Sequence, residues 1–177
     1  MRSPLPESCR EVDVAPDFSA LACVEDSAVS VWDIPPDGDK PPALRWRMPT
    51  RPAWGATFFD GVQTVIVTSN GYPAEAFAQA DGTPRPAPEL SCCGYPPSSN
   101  VAGSAVQFAG NAQLSVATTA RVFEMSPCAS REELAGAVDE TGERWAVSCR
   151  DGGLFVGLLG APPAKYETPL GAPRAPA

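Results

Sequence analysis

Val12 to Asp33 reads VDVAPDFSALACVEDSAVSVWD, and an imperfect version of this run returns three times further along the chain. Its centre holds two apolar segments, Ala20–Val24 and Ala28–Trp32, separated by the polar turn Glu25-Asp26-Ser27. The second segment ends in Trp-Asp. Self-similarity at a few tens of residues signals a repeat architecture, in which the stacking of units decides the fold.

The second copy is Gly55 to Asn70, GATFFDGVQTVIVTSN, which turns at Asp60-Gly61 before the segment Thr64–Thr68; its third segment is Glu75–Ala80. The third, Ala105 to Glu124, turns at Gly110-Asn111 and at Thr119-Ala120. The fourth, Ala137 to Leu158, turns at Thr141-Gly142 and at Asp151-Gly152-Gly153. Each reads apolar segment, turn, apolar segment, turn, apolar segment. Short runs rich in Val, Phe and Trp, closed by Gly, Asn or Asp, are strand and hairpin signals. Gly and Asn suit such turns because they adopt positive φ at little cost.

This pattern resembles the WD-repeat (WD40) family of β-propellers, whose blades are four-stranded antiparallel meanders. Pro16-Asp17 matches the first turn of a blade, Leu21-Ala22 its second strand, Glu25-Asp26 the next turn, and Val29-Ser30-Val31-Trp32-Asp33 the third strand. In the fourth copy Asp139, Gly142, Trp145-Ala146-Val147 and Arg150-Asp151-Gly152 take the equivalent places. The resemblance spans roughly residues 10 to 160. It departs from the family in having no His at all, and in having Phe123-Glu124 where the third copy would carry Trp-Asp. Hydrophobic stacking supplies most of the stability of such repeats, so these losses imply a divergent propeller.

The expected fold class is therefore all-β, with about four WD40-like propeller blades. A blade takes about 40–45 residues and closed rings hold about 4–8 blades, so 177 residues supply four at most. The interval from Val106 to Val138 is short for a blade, and the outer strand of the third is expected to be short or missing. Part of a longer propeller, a small closed ring, and a ring completed by another subunit are the three readings. With 21 Pro and 15 Gly, helix content is expected to be small. The one helical candidate is Ser130–Ala137, with Ser130 and Glu133 in a capping-box arrangement, unless Leu134–Val138 instead begins the fourth blade. The expected domains are an N-terminal tail over 1–9, blades over 10–160, and a Pro/Ala-rich tail over 161–177, disordered beyond Tyr166.

Composition excludes several function classes. The net charge of −8 disfavours a general grip on nucleic acid or on anionic membrane. No segment approaches the ~20 apolar residues of a membrane span. Without His there is no Ser-His-Asp triad, no Cys-His pair and no imidazole metal site. No phosphate-binding Gly-rich loop occurs. The acidic residues concentrate in turns such as Glu25-Asp26, Asp37-Gly38-Asp39 and Asp139-Glu140, where Asp commonly bonds its own backbone. No catalytic group, cofactor or metal is expected. The alternative from another class is a propeller enzyme or small-ligand binder with acidic groups around the axis.

Six cysteines, Cys9, Cys23, Cys92, Cys93, Cys128 and Cys149, show no zinc-type C-x₂-C spacing. Cys23 and Cys149 fall in second-strand positions and read as inert core thiols. Cys92-Cys93 lies in a loop, where a redox or intersubunit contact is the sharper reading. The N-terminus has no apolar h-region, so the expectation is a reducing, cytoplasmic or otherwise intracellular compartment.

Arg45 to Trp54, RWRMPTRPAW, reverses the local charge with three Arg and two Trp. Arg45, Arg47, Arg51 and Trp54 could together hold an acidic partner. Residues 43–48 also alternate, so Arg45 and Arg47 would share the wet face of an outer blade strand while Trp46 and Met48 face inward. The resemblance implies that the connection Pro49–Pro52 lies on the rim of the turns between second and third strands. That rim would gather Arg51, Glu25, Asp26, Asn70, Tyr72, Arg150 and Asp151, and it is the face that partners commonly engage in the family. The function expected is a non-enzymatic scaffold that binds another protein or subunit through this rim or through an open blade edge.

Overall fold

Short apolar runs broken by turn residues leave this chain one economical way to satisfy its backbone, which is to fold each run back on the last. The computed structural model describes residues 9–36, 40–69, 71–89, 97–99, 103, 105–110, 113–128, 134–149 and 153–167. They form sixteen strands in four antiparallel four-stranded sheets, with no helix among the described residues. The first sheet is β1 (Glu11–Val14), β2 (Ala20–Val24), β3 (Ala28–Asp33) and β4 (Ala43–Pro49). The second is β5 (Ala53–Phe59), β6 (Thr64–Ser69), β7 (Tyr72–Ala78) and β8 (Pro84–Arg85). The third is β9 (Ser98–Ser99), β10 (Ala105–Gly110), β11 (Gln113–Thr118) and β12 (Val122–Met125). The fourth is β13 (Leu134–Val138), β14 (Arg144–Cys149), β15 (Gly153–Leu158) and β16 (Ala164–Glu167). Each sheet pairs its strands in chain order, the meander of a WD40-like blade.

The third blade differs from its reading in the sequence. The Gly103 carbonyl accepts a 3.4 Å hydrogen bond from Gly61 N–H, in the first turn of the second blade, and Gly103 also lies beside Pro16 in the first turn of the first. The link between β9 and β10 is thus a first-turn link, and β9 is the innermost strand. Phe123-Glu124 therefore sits in the outermost strand, not the third. The outer strand is present as the four-residue β12, and the reduction falls on β9, which keeps two residues. Leu134–Val138 pairs with β14 from Leu134↔Cys149 to Val138↔Trp145, so these positions begin the fourth blade and are not helical; Ser130 and Glu133 lie outside the described residues. An isolated helix of two turns is marginal, and burial against a neighbouring sheet outweighs its propensity.

Three apolar clusters mark the junctions between blades. Val24, Val29, Val31 and Trp46 of the first blade meet Phe58, Val65 and Val67 of the second. Phe59, Ile66 and Ala76 of the second meet Ala117 of the third. Leu114 and Val116 of the third meet Trp145 and Val147 of the fourth. Each large side chain so buried contributes about 1.5–3 kcal/mol. The first and second blades are also pinned by a polar contact: Asp13 Oδ2 accepts from Thr57 Oγ1 at 2.8 Å and from Phe58 N–H at 3.3 Å.

Cys23 and Cys149 are not free thiols. Cys23 is disulfide-bonded to Cys9 and Cys149 to Cys128, with Cα–Cα separations of 5.6 and 5.7 Å. The N–H of Arg10 donates to the Val24 carbonyl, extending the β1–β2 ladder beyond Glu11 and bringing Cys9 alongside β2. Cys92 and Cys93 lie outside the described residues.

Candidate functional site

The rim carrying the β2–β3, β4–β5 and β6–β7 connections is built from turn chemistry and strand register. Thr50 N–H donates to the Ser27 carbonyl at 3.0 Å, which seats the β4–β5 connection against the Glu25-Asp26-Ser27 turn. The guanidinium of Arg51 lies 4.6 Å from the centroid of the Tyr72 ring, a cation–π contact across to the second blade. Arg51 N–H also donates to Glu75 Oε2 at 3.5 Å. Trp54 stands at a register shift between Ala53 and Gly55, and this bulge turns its side chain outward while both neighbours stay buried. Trp54 is 42% exposed and Tyr72 50%. The hydroxyls of Thr50, in the β4–β5 connection, and of Ser69, at the end of β6, are buried with no hydrogen-bond partner among the described residues.

Glu25 and Asp26 are held in place by cations. Glu25 is 4% exposed and receives a bidentate pair from Arg47, Nε to Oε1 at 2.8 Å and Nη2 to Oε2 at 2.7 Å. Ser30 Oγ donates to the same carboxylate at 3.4 Å. The Glu25 hydrogen bonds, and then its charge, push the Arg47 pKa further up. Asp26 pairs with Arg10, both on the surface. Arg45 donates to Asp33 through Nε and Nη2 and to the Gln79 carbonyl at 3.2 Å.

Of the residues nominated from the sequence, the structure thus brings Glu25, Asp26, Arg47, Arg51, Trp54 and Tyr72 to one rim. Arg45 does not join them, because it is tied to Asp33 and to the β7–β8 turn. Arg45 and Arg47 are neutralised within the protein. Among the described residues Arg51 makes no ion pair. Trp46 is buried and Met48 half-buried, as the alternation of residues 43–48 requires. Asn70, Arg150 and Asp151 lie outside the described residues.

Two features of the opposite rim were not singled out in the sequence. Phe18, at φ +58°, is the most exposed large apolar side chain of the described residues. An open cleft of about 480 Å³ between the third and fourth blades is lined by Thr119, Arg121, Phe123, Glu143 and Leu158, with Arg121 stacked 4.4 Å above the Phe123 ring. An apolar residue within the turn Pro16–Ser19 was the available signal for Phe18. The cleft joins two blades and has no local signature.

Acidic groups on the innermost strand bear on axial ligand chemistry. Asp13 is occupied by Thr57 and Phe58 N–H. Glu11 has a pKa raised from its ordinary 4.5, first by burial and then by the charge of Asp13. Among the described residues no three Cys, Asp or Glu groups converge as a metal site. A folded-state pKa above the unfolded one favours folding fully below the unfolded value, and that contribution is lost as pH rises through the folded value. Ionised Glu11 therefore opposes folding at neutral pH. Glu11→Gln is expected to raise Tm at pH 7 and to lose that advantage near pH 4. An equal gain at both pH values would show that ionisation is not the cause.

No protein-family model matches the chain, and no curated protein matches it. Among solved structures it is similar to that of U3-55K, a WD40 protein, with a TM-score of 0.63 at 10% identity. The match covers 90% of this chain and 51% of that one, so the chain spans about half the length of the propeller protein it resembles. At that identity the likeness is one of fold.

Proposed function

We propose that this chain is a non-enzymatic WD40-like scaffold that binds another protein through the rim bearing Arg51, Trp54 and Tyr72. The observation that carries this reading is the outward placement of two aromatic side chains beside an arginine whose guanidinium makes no ion pair among the described residues. Trp, Tyr and Arg are the residue types that dominate binding energy at protein interfaces.

The test is affinity capture from native lysate with quantitative mass spectrometry, comparing the wild type with Trp54→Ser/Tyr72→Ser. Partner recovery is expected to fall by about tenfold or more, with the circular dichroism spectrum unchanged. Charge reversal at Arg45 or Arg47 is unsuitable, because it would break the pairs with Asp33 and Glu25. An identical partner list from wild type and variant sinks the proposal.

A further inference from the structure

The first turns of the four blades share one backbone geometry but not one kind of residue. Two residues before each second strand the chain turns left-handed, at Phe18 (φ +58°), Val62 (+72°), Gly103 (+64°) and Gly142 (+75°). Glycine takes this conformation at no steric cost, whereas a bulky or β-branched residue is strained by it. Val62 has a local reason, since it is half-buried and packs against the core between the first and second blades. Phe18 has none among the described residues. Its ring is 74% exposed, on a turn held by Asp17 Oδ1, which accepts from Ser19 N–H at 3.0 Å and Ser19 Oγ at 2.7 Å. An aromatic side chain kept exposed at a strained position points to a contact outside the fold.

The same rim carries a recess. First turns and turns from third to outer strands lie at one end of every meander, so Phe18 shares its rim with the cleft between the third and fourth blades. At about 480 Å³ that cleft has room for an aromatic ring, and it falls within the roughly 300–1,000 Å³ of small-ligand pockets. Its walls are fixed by hydrogen-bonded turns. Thr118 N–H donates to the Arg121 carbonyl at 2.9 Å, and Asp139 Oδ1 accepts from the N–H groups of Glu143 and Arg144 at 2.9 and 3.0 Å. Arg121 is exposed, stacks 4.4 Å above the Phe123 ring, and makes no ion pair among the described residues. A second ring can stack on the other side of its guanidinium.

We infer that two copies of this chain pair rim to rim, the Phe18 ring of each seated in the cleft of the other against Arg121. The cleft offers a cation already stacked on one aromatic ring, and a neutral aromatic ring is what completes that stack. Phe18 is exposed in its own copy, so it does not fill that copy's cleft. A projection and a recess on one rim are exchanged by a two-fold axis lying in the contact plane, so a single operation makes both contacts. The net charge of −8 disfavours anionic membrane as the receptor for Phe18. The inference is independent of the scaffold proposal, since Arg51, Trp54 and Tyr72 lie on the other rim. Loss of assembly with partner binding retained, or the reverse, tells the two apart.

Analytical ultracentrifugation tests it. The wild type is expected to sediment at twice the chain mass at micromolar concentration. Phe18→Gly gives the first blade the residue that the third and fourth already have, so its circular dichroism spectrum should be unchanged. Its dimer is expected to be about a hundredfold weaker or more, because each lost ring counts twice. Arg121→Glu is expected to weaken the dimer about tenfold or more. Should either variant fail to fold, Phe18→Asn or Arg121→Ser takes its place. Mixed together, the two variants regain one wild-type contact, the Phe18 of the Arg121→Glu copy in the cleft of the Phe18→Gly copy. The mixture is expected to dimerise more tightly than Phe18→Gly alone. A monomeric wild type overturns the inference, as do open-ended oligomers and a dimer indifferent to Phe18→Gly. A dimer lost in Phe18→Gly yet intact in Arg121→Glu also overturns it, because Phe18 then meets a surface other than the cleft.

Discussion

Trp145→Ala is expected to cost about 3–5 kcal/mol of stability, among the largest effects available to a single substitution in this chain. The indole is 1% exposed and sits at the centre of the junction between the third and fourth blades, against Leu114, Val116 and Val147. A Cβ added to Gly157 would come within 3.1–3.2 Å of the indole, so the ring lies directly over that glycine and fills the space its missing side chain leaves. Its Nε1–H donates to the Leu158 carbonyl at 3.2 Å, and truncation removes that bond along with the packing. Stability in stacked repeats is a sum of unit and neighbour terms, so the loss should be local. Hydrogen exchange is expected to show lowered protection in β14 and β15 while β2 and β6 keep theirs. Uniform loss across all four blades would mean that the chain unfolds as one unit.

The strands of this fold were legible because their signals are local: short apolar runs and turn residues between them. Pro16-Asp17, Asp60-Gly61 and Thr141-Gly142 each fall in the first turn of a blade, so the first, second and fourth copies were in register from the start. The third was not. Its inner strand is Ser98-Ser99, which has no apolar residue to announce it, and that one strand shifts every later position of the third copy by one place. The rim was legible through topology, since the loop after an outer strand must lie beside the turn between second and third strands; Arg51 meets Tyr72 for that reason. Which arginines were already spoken for was not legible. That depends on cross-strand register, with Arg47 opposite Ser30 and so within reach of Glu25, and on the shift between Val31 and Trp32 that accompanies the pairing of Arg45 with Asp33.

The disulfides were hidden for a related reason, and removing them is the second large effect expected. Cys9 precedes the first strand and Cys128 lies in the connection after β12, so neither occupies a position that repeat alignment compares. The two bridges span sequence separations of 14 and 21 residues. Loops of that size, closed covalently, restrict the unfolded chain enough to contribute about 3 kcal/mol each. The second bridge also clips the link between the third and fourth blades to β14, within the cluster that holds Trp145. Replacing Cys128 and Cys149 by Ala should therefore destabilise the same junction as Trp145→Ala, and the double change should be less than additive, because the two act on one unit. Tryptic mapping without reductant is expected to recover a Cys9–Cys23 and a Cys128–Cys149 peptide pair, and reductant is expected to lower Tm. Thiol trapping of the protein in its native source then decides the compartment, since a reducing one keeps such cysteines free and would leave the first and fourth blades without these ties. Free thiols at all four positions in oxidised, folded protein, or a Tm indifferent to reductant, would refute the bridges.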